Sequence, residues 1–330
     1  MKNRFELSRR QWLTGAAGIS AVGALGLRPD FAEAKGPMAK AQAPYYYRFK
    51  LGDAQATVVS DGPLPLGDPS KAFLGLSADE IKQQLTDNFL PLDNALLEQN
   101  VLVVNFGNRT VLFDTGMGNA KDFGPTTGKL QETLKQAGIN PNTIDAVVMS
   151  HAHIDHCGGN CNDKGKSLFP KAQFYIAQSD FDFWTDEAKA GGPLKSFIAQ
   201  ARKNLLPIRD RLKFFKDNEE FLPGITAMAA PGHTVGHTIF NIQSGGKQLA
   251  YIGDLTHHPT LLMKKPLTEF AYDTDPKQSA QTRVKYLTTF AQNRTPILAY
   301  HFAWPGIGHV AKDGDGFHYY PAPIDLASKV

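Results

Sequence analysis

The stretch SHAHIDHCGG, Ser150 to Gly159, places His151, His153, Asp155 and His156 within six positions of a chain that has ten histidines in all. Neutral imidazoles are the commonest ligands of zinc-like ions, and carboxylates complete sites that hold two cations. His151 and His153 lie two apart, so an extended segment turns both to one side. Asp155 and His156 follow across a turn that Gly158 and Gly159 can tighten. One segment therefore offers two ligand pairs, enough to serve adjacent ions. Four polar residues at a solvated loop tip would need no such order.

Three other places end an apolar run on a ligand type. Pro231-Gly232-His233-Thr234-Val235-Gly236-His237 follows the run from Ile225, Gly253-Asp254 follows Leu249 to Ile252, and His301 follows Ile297 to Tyr300. A lone histidine after a strand is more often a satisfied structural group. The same order of strand and then ligand, found four times, predicts strand tips that converge on one rim.

The elements that must position these groups read as strands, then strands alternating with helices, then strands again. Ala54 to Ser60, Leu97 to Phe106 and Arg109 to Phe113 are β runs, the last ending in Asp114-Thr115-Gly116. Thr143 to Met149 is the strand that leads into the histidine cluster, with further strands at Gln173 to Ala177, Ile225 to Ala230, Thr238 to Gln243, Gln248 to Ile252 and Pro296 to Tyr300. Ser77-Ala78-Asp79-Glu80 spells a capping box ahead of a helix near Ile81 to Leu85. Gly128 to Ala137 is amphipathic and closes at Gly138, and another helix runs from Asp275 to about Gln292. No fixed-period repeat and no long linker interrupts the chain, so residues 35–330 read as one domain.

With 330 residues, 42% hydrophobic and 20% charged, the composition is that of a globular protein, and a net charge of +3 supplies no basic face for nucleic acid. The two cysteines, Cys157 and Cys161, read as small buried apolar residues rather than a bridge. Residues 1–34 read as processing sequence: Ser8-Arg9-Arg10-Gln11-Trp12-Leu13 resembles a twin-arginine export signal, and Ala32-Glu33-Ala34 is a small-x-small cleavage pattern. The apolar run between them, Leu13 to Leu27, is too short and glycine-rich to span a bilayer. The expectation is a periplasmic or secreted protein, delivered by the twin-arginine machinery and keeping no stable membrane anchor.

HAHIDH, PGHTVGH, the Gly-Asp after an apolar strand, the late strand-borne histidine and the Asp114-Thr115-Gly116 turn together resemble the metallo-β-lactamase superfamily. Within it the chain is similar to the methyl parathion hydrolase-like group, through Tyr46-Tyr47-Arg48, Leu51-Gly52-Asp53, Ser60-Asp61-Gly62, Phe123-Gly124-Pro125-Thr126, Phe183-Trp184 and Trp304 to His309. The resemblance implies an α/β (α+β) chain folded as an αββα sandwich, two mixed sheets flanked by helices, with a two-metal site on one edge. It implies one ion on His151, His153 and His233, a second on Asp155, His156 and His301, and Asp254 bridging. Zinc is the first expectation, with manganese, cobalt or iron suited to the same donors. A water between two cations loses a proton near neutral pH and becomes the nucleophile, oriented by Asp155. His237 matches a structural position, and Asp114 and Thr115 read as support for the ligand loops.

Departures from the pattern sort the relatives. A common secreted β-lactamase has Arg where His156 stands, flavodiiron proteins have Glu where His153 stands, and glyoxalase II-like thioesterases use a basic carboxy-terminal segment that Tyr319 to Val330 lacks. Quorum-signal lactonases often carry Tyr, and the parathion-type enzymes an apolar residue, where this chain has His257. Phe123 and Trp184 match positions lining the leaving-group side, and with His257 they are the candidate substrate contacts. The reading is a hydrolase of small neutral esters, lactones or organophosphate triesters. Thioesterase or β-lactamase-type hydrolysis, and metal binding without turnover, are the alternatives. The family also suggests a homodimer, built with the Pro37 to Tyr45 arm.

Overall fold

The computed structural model describes residue 38, residues 42–43 and residues 45–324. The chain divides into two units, Met1–Ala43 and Pro44–Val330, and the second carries every element discussed below. The export segment expected at 1–34 lies outside the described residues, as do most of the 37–45 arm and the last six positions.

Two seven-stranded sheets form the body. The first runs, edge to edge, Tyr46–Leu51, Ala54–Ser60, Asn100–Asn105, Thr110–Phe113, Ala146–Val148, Gln173–Ala177 and Leu212–Phe215. Its first four strands pair antiparallel and the remaining three join in parallel. The second runs Glu220–Leu222, Ile225–Ala229, Thr238–Ser244, Lys247–Tyr251, Ile297–Leu298, Ile307–Asp313 and Gly316–Pro321, antiparallel except where Lys247–Tyr251 meets Ile297–Leu298. Strands such as NVLVVN and AVV are apolar almost throughout because both faces are covered.

The sheets pack face to face. One buried cluster joins Val58, Val103, Val147 and Phe174 of the first to Ile242, Leu249 and Tyr251 of the second, and the Phe113 and Phe240 rings sit 5.6 Å apart across the seam. Helix Leu130–Gln136 adds Leu130 and Leu134 to that core. On the far side of the second sheet, helix Pro276–Asn293 buries Leu287 and Phe290 against Ile239, Ala250, Ile297 and Val310. Helices thus flank two mixed sheets, the expected αββα arrangement.

Most expected elements form, with instructive exceptions. The capping box is complete, Ser77 and Glu80 satisfying each other's backbone N–H ahead of helix Ala78–Asp87. The run expected over 143–149 keeps only Ala146–Val148 as strand, because Pro141–Thr143 closes a 3-10 turn before it. The run expected over 97–106 is broken in two. Leu96–Leu97 pairs with Leu64–Pro65 in a small separate sheet, and Asn100–Asn105 enters the first large sheet. The hairpin Ile307–Asp313 with Gly316–Pro321 went unforeseen, although Asp313-Gly314-Asp315-Gly316 is a hairpin signal and Gly314 takes a φ of 54°.

Candidate metal centre

His151, His153, Asp155, His156, His233, Asp254 and His301 are all buried, and they meet. Donor atoms of His151, His153 and His233 lie within 4.8 Å of one another, and so do those of Asp155, His156, Asp254 and His301. Each group arrives from the end of a different strand: Ala146–Val148, Ile225–Ala229, Lys247–Tyr251 and Ile297–Leu298. Asp155 and His156 stand on one short helix, Ile154–Cys157, with His153 as its N-cap.

The outer nitrogens of four rings are spoken for. His156 Nδ1 donates to Asp114 Oδ2 at 2.8 Å, His233 Nδ1 to Asp273 Oδ1 at 2.8 Å, and His301 Nδ1 to the Glu98 carbonyl at 2.8 Å. His151 Nδ1 meets Ser150 Oγ at 3.0 Å, whose hydroxyl in turn donates to Asp114 Oδ2. With protons held on Nδ1, the Nε2 lone pairs face inward. His151 Nε2 and His233 Nε2 lie only 3.1 Å apart, and His156 Nε2 and Asp254 Oδ1, 3.0 Å apart, are buried without a hydrogen-bond partner. Converging lone pairs and orphaned acceptors are stable only around cations, so the residues present fit divalent ions.

The carboxylates around the site set up a field that favours positive charge there. Burial disfavours charge on His233, but the Asp254 and Asp273 carboxylates outweigh it and push the ring up to about 9. His156 is likewise buried, yet Asp254, Asp155 and Asp114 hold it well above the usual imidazole range. Asp254 is the centre of this field: its Oδ2 lies 3.0 Å from His257 Nε2, 3.1 Å from His233 Nε2 and 3.3 Å from His301 Nε2.

Supports hold the ligands from behind. Asp114, in the left-handed region at φ 60°, accepts from the Ser150 backbone at 2.7 Å and from the Tyr251 hydroxyl at 2.8 Å while holding His156. Thr115 donates its hydroxyl to the His156 carbonyl at 3.0 Å. His237 stands apart from the clustered donors. Its Nδ1 donates to the Ala230 carbonyl at 3.0 Å and its Nε2 accepts from the Asp254 backbone N–H at 3.0 Å, so it fixes the backbone of the central carboxylate. Gly158 and Gly159 act differently from the expected tight turn. Neither has a positive φ; a Cβ on Gly159 would stand 2.0 Å from the Thr115 carbonyl, so glycine is needed for close approach of the 114–116 turn. Cys157 and Cys161 are free and buried.

Above the cluster lies a pocket whose walls include Leu64, Leu66, Leu97, Phe123, Phe270 and Tyr272. Phe123 and His257 are in that wall. Trp184 is not: it is buried behind His153, 5.0 Å ring to ring, and Phe197 of helix Lys195–Leu205 takes the pocket-lining place. An aromatic beside a ligand loop in sequence has no signal telling which side of the ligand it packs on.

Sequence reasoning also missed Asp180 and Asp273. Asp180 accepts from Ala152 N–H at 2.7 Å and Gly236 N–H at 2.9 Å, tying the two histidine loops together. Asp273, which orients His233 from 40 positions downstream, is backed by the buried Arg283 at 3.8 Å.

The chain belongs to the metallo-β-lactamase superfamily, whose model matches residues 95–301. Among solved structures it is similar to AidC, a dizinc quorum-quenching lactonase, at 30% identity and a TM-score of 0.80, over 84% of this chain and 98% of that one. It is similar also to the hydrolase AbOPH of the beta lactamase superfamily, at 28% identity and a TM-score of 0.80, over 86% of this chain and all of that one, 100%. An N-acyl homoserine lactonase of a Bacillus species is 23% identical over 116 residues, 35% of this chain and 40% of the relative. The Integrator complex subunit 11 homolog of Dictyostelium discoideum is 26% identical over 178 residues, 49% of this chain and 22% of the relative. The matched stretches thus span less than half the length of these curated relatives.

Proposed function

We propose that the protein is a dinuclear, zinc-dependent hydrolase of small neutral esters, lactones or organophosphate triesters. The observation that carries this reading is one carboxylate, Asp254, set between two groups of inward-facing donors at the floor of an apolar pocket. His151, His153 and His233 would hold one ion, Asp155, His156 and His301 the other, with Asp254 shared. Two divalent ions, when bound, supply Lewis acidity and a water activated at neutral pH.

The chain's own residues do the rest. Asp155, whose Oδ2 lies 3.5 Å from both His156 Nε2 and His301 Nε2, orients the attacking water. Phe123, Phe197 and the leucines of the wall exclude bulk solvent and accept an uncharged arm, since among the described residues the pocket wall holds no lysine or arginine to recognise a carboxylate or phosphate monoanion. His257, stacked on Phe270 at 3.9 Å, presents Nε2 beside Asp254 and contacts the bound substrate near the reacting centre.

The similarity to a dizinc lactonase supports lactones, and the methyl parathion hydrolase-like motifs support phosphotriesters. The twin-arginine-type signal would deliver the enzyme to the periplasm with its metal installed. The test is a screen of purified metal-loaded protein against lactones, aryl esters and paraoxon-type triesters. Turnover of at least one class is expected; inertness toward all three, with two ions bound, would leave metal binding without catalysis as the reading.

A further inference from the structure

Six carboxylates are buried among the described residues. Asp155 and Asp254 stand in the ligand cluster, and Asp114, Asp180 and Asp273 brace the loops that carry it. Asp61, of the Ser60-Asp61-Gly62 motif, has other partners. Its Oδ2 accepts from the Met117 N–H at 2.8 Å and the Gly128 N–H at 3.1 Å, and its Oδ1 from the Leu130 N–H at 2.7 Å. Its own N–H donates to the Gln99 carbonyl at 3.1 Å, and its carbonyl accepts from the Lys129 N–H at 3.0 Å. The two segments are pressed together: Gly62 has a φ of 91°, and a Cβ there would stand 2.0 Å from the Thr126 carbonyl.

What Asp61 joins is the apolar wall of the pocket. Leu64, Leu97, Met117 and Ile154 form one small buried cluster with Leu66 and Phe123 packed against it, and all of these but Met117 line the pocket. Leu64 and Leu66 follow Asp61 directly, Leu97 lies two residues before Gln99, and Met117 opens the loop that reaches Phe123 before Gly128 returns it. The segments that supply the wall thus share one node. At the outer end of the loop the tie is exposed, Gln200 Nε2 donating to Asp122 Oδ1 at 2.8 Å, where water competes for the bond. We infer that Asp61 is a positioning residue for the substrate pocket: it holds Phe123 and the aliphatic wall in place, and so sets how far bulky apolar arms are preferred over small ones. This rests on the reading of the pocket as a site for neutral substrates. A carboxylate suits the node because it only accepts, offering two oxygens to the three N–H groups of Met117, Gly128 and Leu130. Asparagine would turn an NH2 toward at least one of them. A wall displaced by about 1 Å loses its fit to the arm while the metal donors stay where they are.

The experiment compares wild type with Asp61→Asn on two substrates of whichever class is turned over, alike except that one carries a 2-naphthyl arm and the other a methyl group. For the naphthyl substrate KM should rise about tenfold with kcat within about twofold, and the methyl substrate should change by less than about twofold. Metal content should equal that of wild type. Adding Asp61→Asn to Phe123→Ala should cost little more in KM, because the first acts through the second. Equal losses on both substrates, or lost metal, would make Asp61 a support of the metal centre and overturn the inference. An unchanged KM for the naphthyl substrate would overturn it equally. Should Asp61→Asn fail to fold, Thr126→Val gives the reading: it removes the bond from the Thr126 hydroxyl to the Pro63 carbonyl, 2.8 Å, which ties the same loop to the same segment. A rise of about threefold in KM confined to the naphthyl substrate is then expected, and its absence would overturn the inference. Should wild type hydrolyse no substrate, the proposed function fails separately. Calorimetric binding of N-(2-naphthyl)acetamide to wild type and variant then reads the same loss of about tenfold, or its absence, without turnover.

Discussion

Replacing Asp254 with alanine is expected to lower turnover of every substrate class by about three orders of magnitude or more while the fold persists. The carboxylate faces five imidazoles, with His156 at 3.0 Å from one oxygen and His257, His233, His301 and His151 at 3.0 to 3.8 Å from the other. Without it no single group spans the two donor sets, and His151, His153, His156 and His233 are left with mutually repelling lone pairs. The fold should survive because the chain there is held by main-chain bonds: the Asp254 N–H to His237 Nε2 and the Ile252 N–H to the Leu298 carbonyl. Circular dichroism checks the fold and metal analysis the occupancy. Retained turnover in a metal-loaded Asp254→Ala protein would contradict the shared-carboxylate mechanism.

The largest effect on stability is expected at Arg283. Its guanidinium, wholly buried, donates to the carbonyls of Leu255, Pro266 and Thr268 at 3.0, 2.8 and 2.8 Å and lies 3.8 Å from Asp273. Burial pushes its pKa down to about 10, opposed by Asp273, so it stays charged at neutral pH. Arg283→Met would strand three carbonyls and a buried carboxylate. The cost is about 3–5 kcal/mol, read as a lower urea midpoint at unchanged slope. Arg283→Lys should rescue little, because an ammonium cannot reproduce the planar fork. Asp273 orients His233 and Leu255 follows Asp254, so metal affinity should fall as well, by about tenfold or more. A stability loss under about 1 kcal/mol in Arg283→Met would show that the clamp is dispensable.

The ligands were legible because each closes an apolar run that could only be a strand, and strands of two packed sheets end on a common edge. The break at Glu98 and Gln99 was not, since NVLVVN continues the apolar run from Leu96 without a turn residue. Its cause is tertiary: the Glu98 carbonyl leaves the ladder to hold His301 Nδ1. Trp184 and Phe197 show the same limit. Both are aromatic and both rings pack against His153, at 5.0 and 5.4 Å, and only the path of helix Lys195–Leu205 decides which of them faces the pocket. Asp180, Asp273 and Arg283 sit in polar or helical stretches where a buried charge looks like an exposed one. Partners supplied from far along the chain, rather than local pattern, bury them.

The most direct measurement is the metal content of purified protein, titrated from the chelated state with zinc while lactone, aryl ester and triester hydrolysis are followed. Two equivalents per chain, with turnover reaching its plateau only as the second is bound, is the expected result. A plateau at one equivalent, or hydrolysis that survives complete chelation, would contradict a centre built on two cations sharing Asp254.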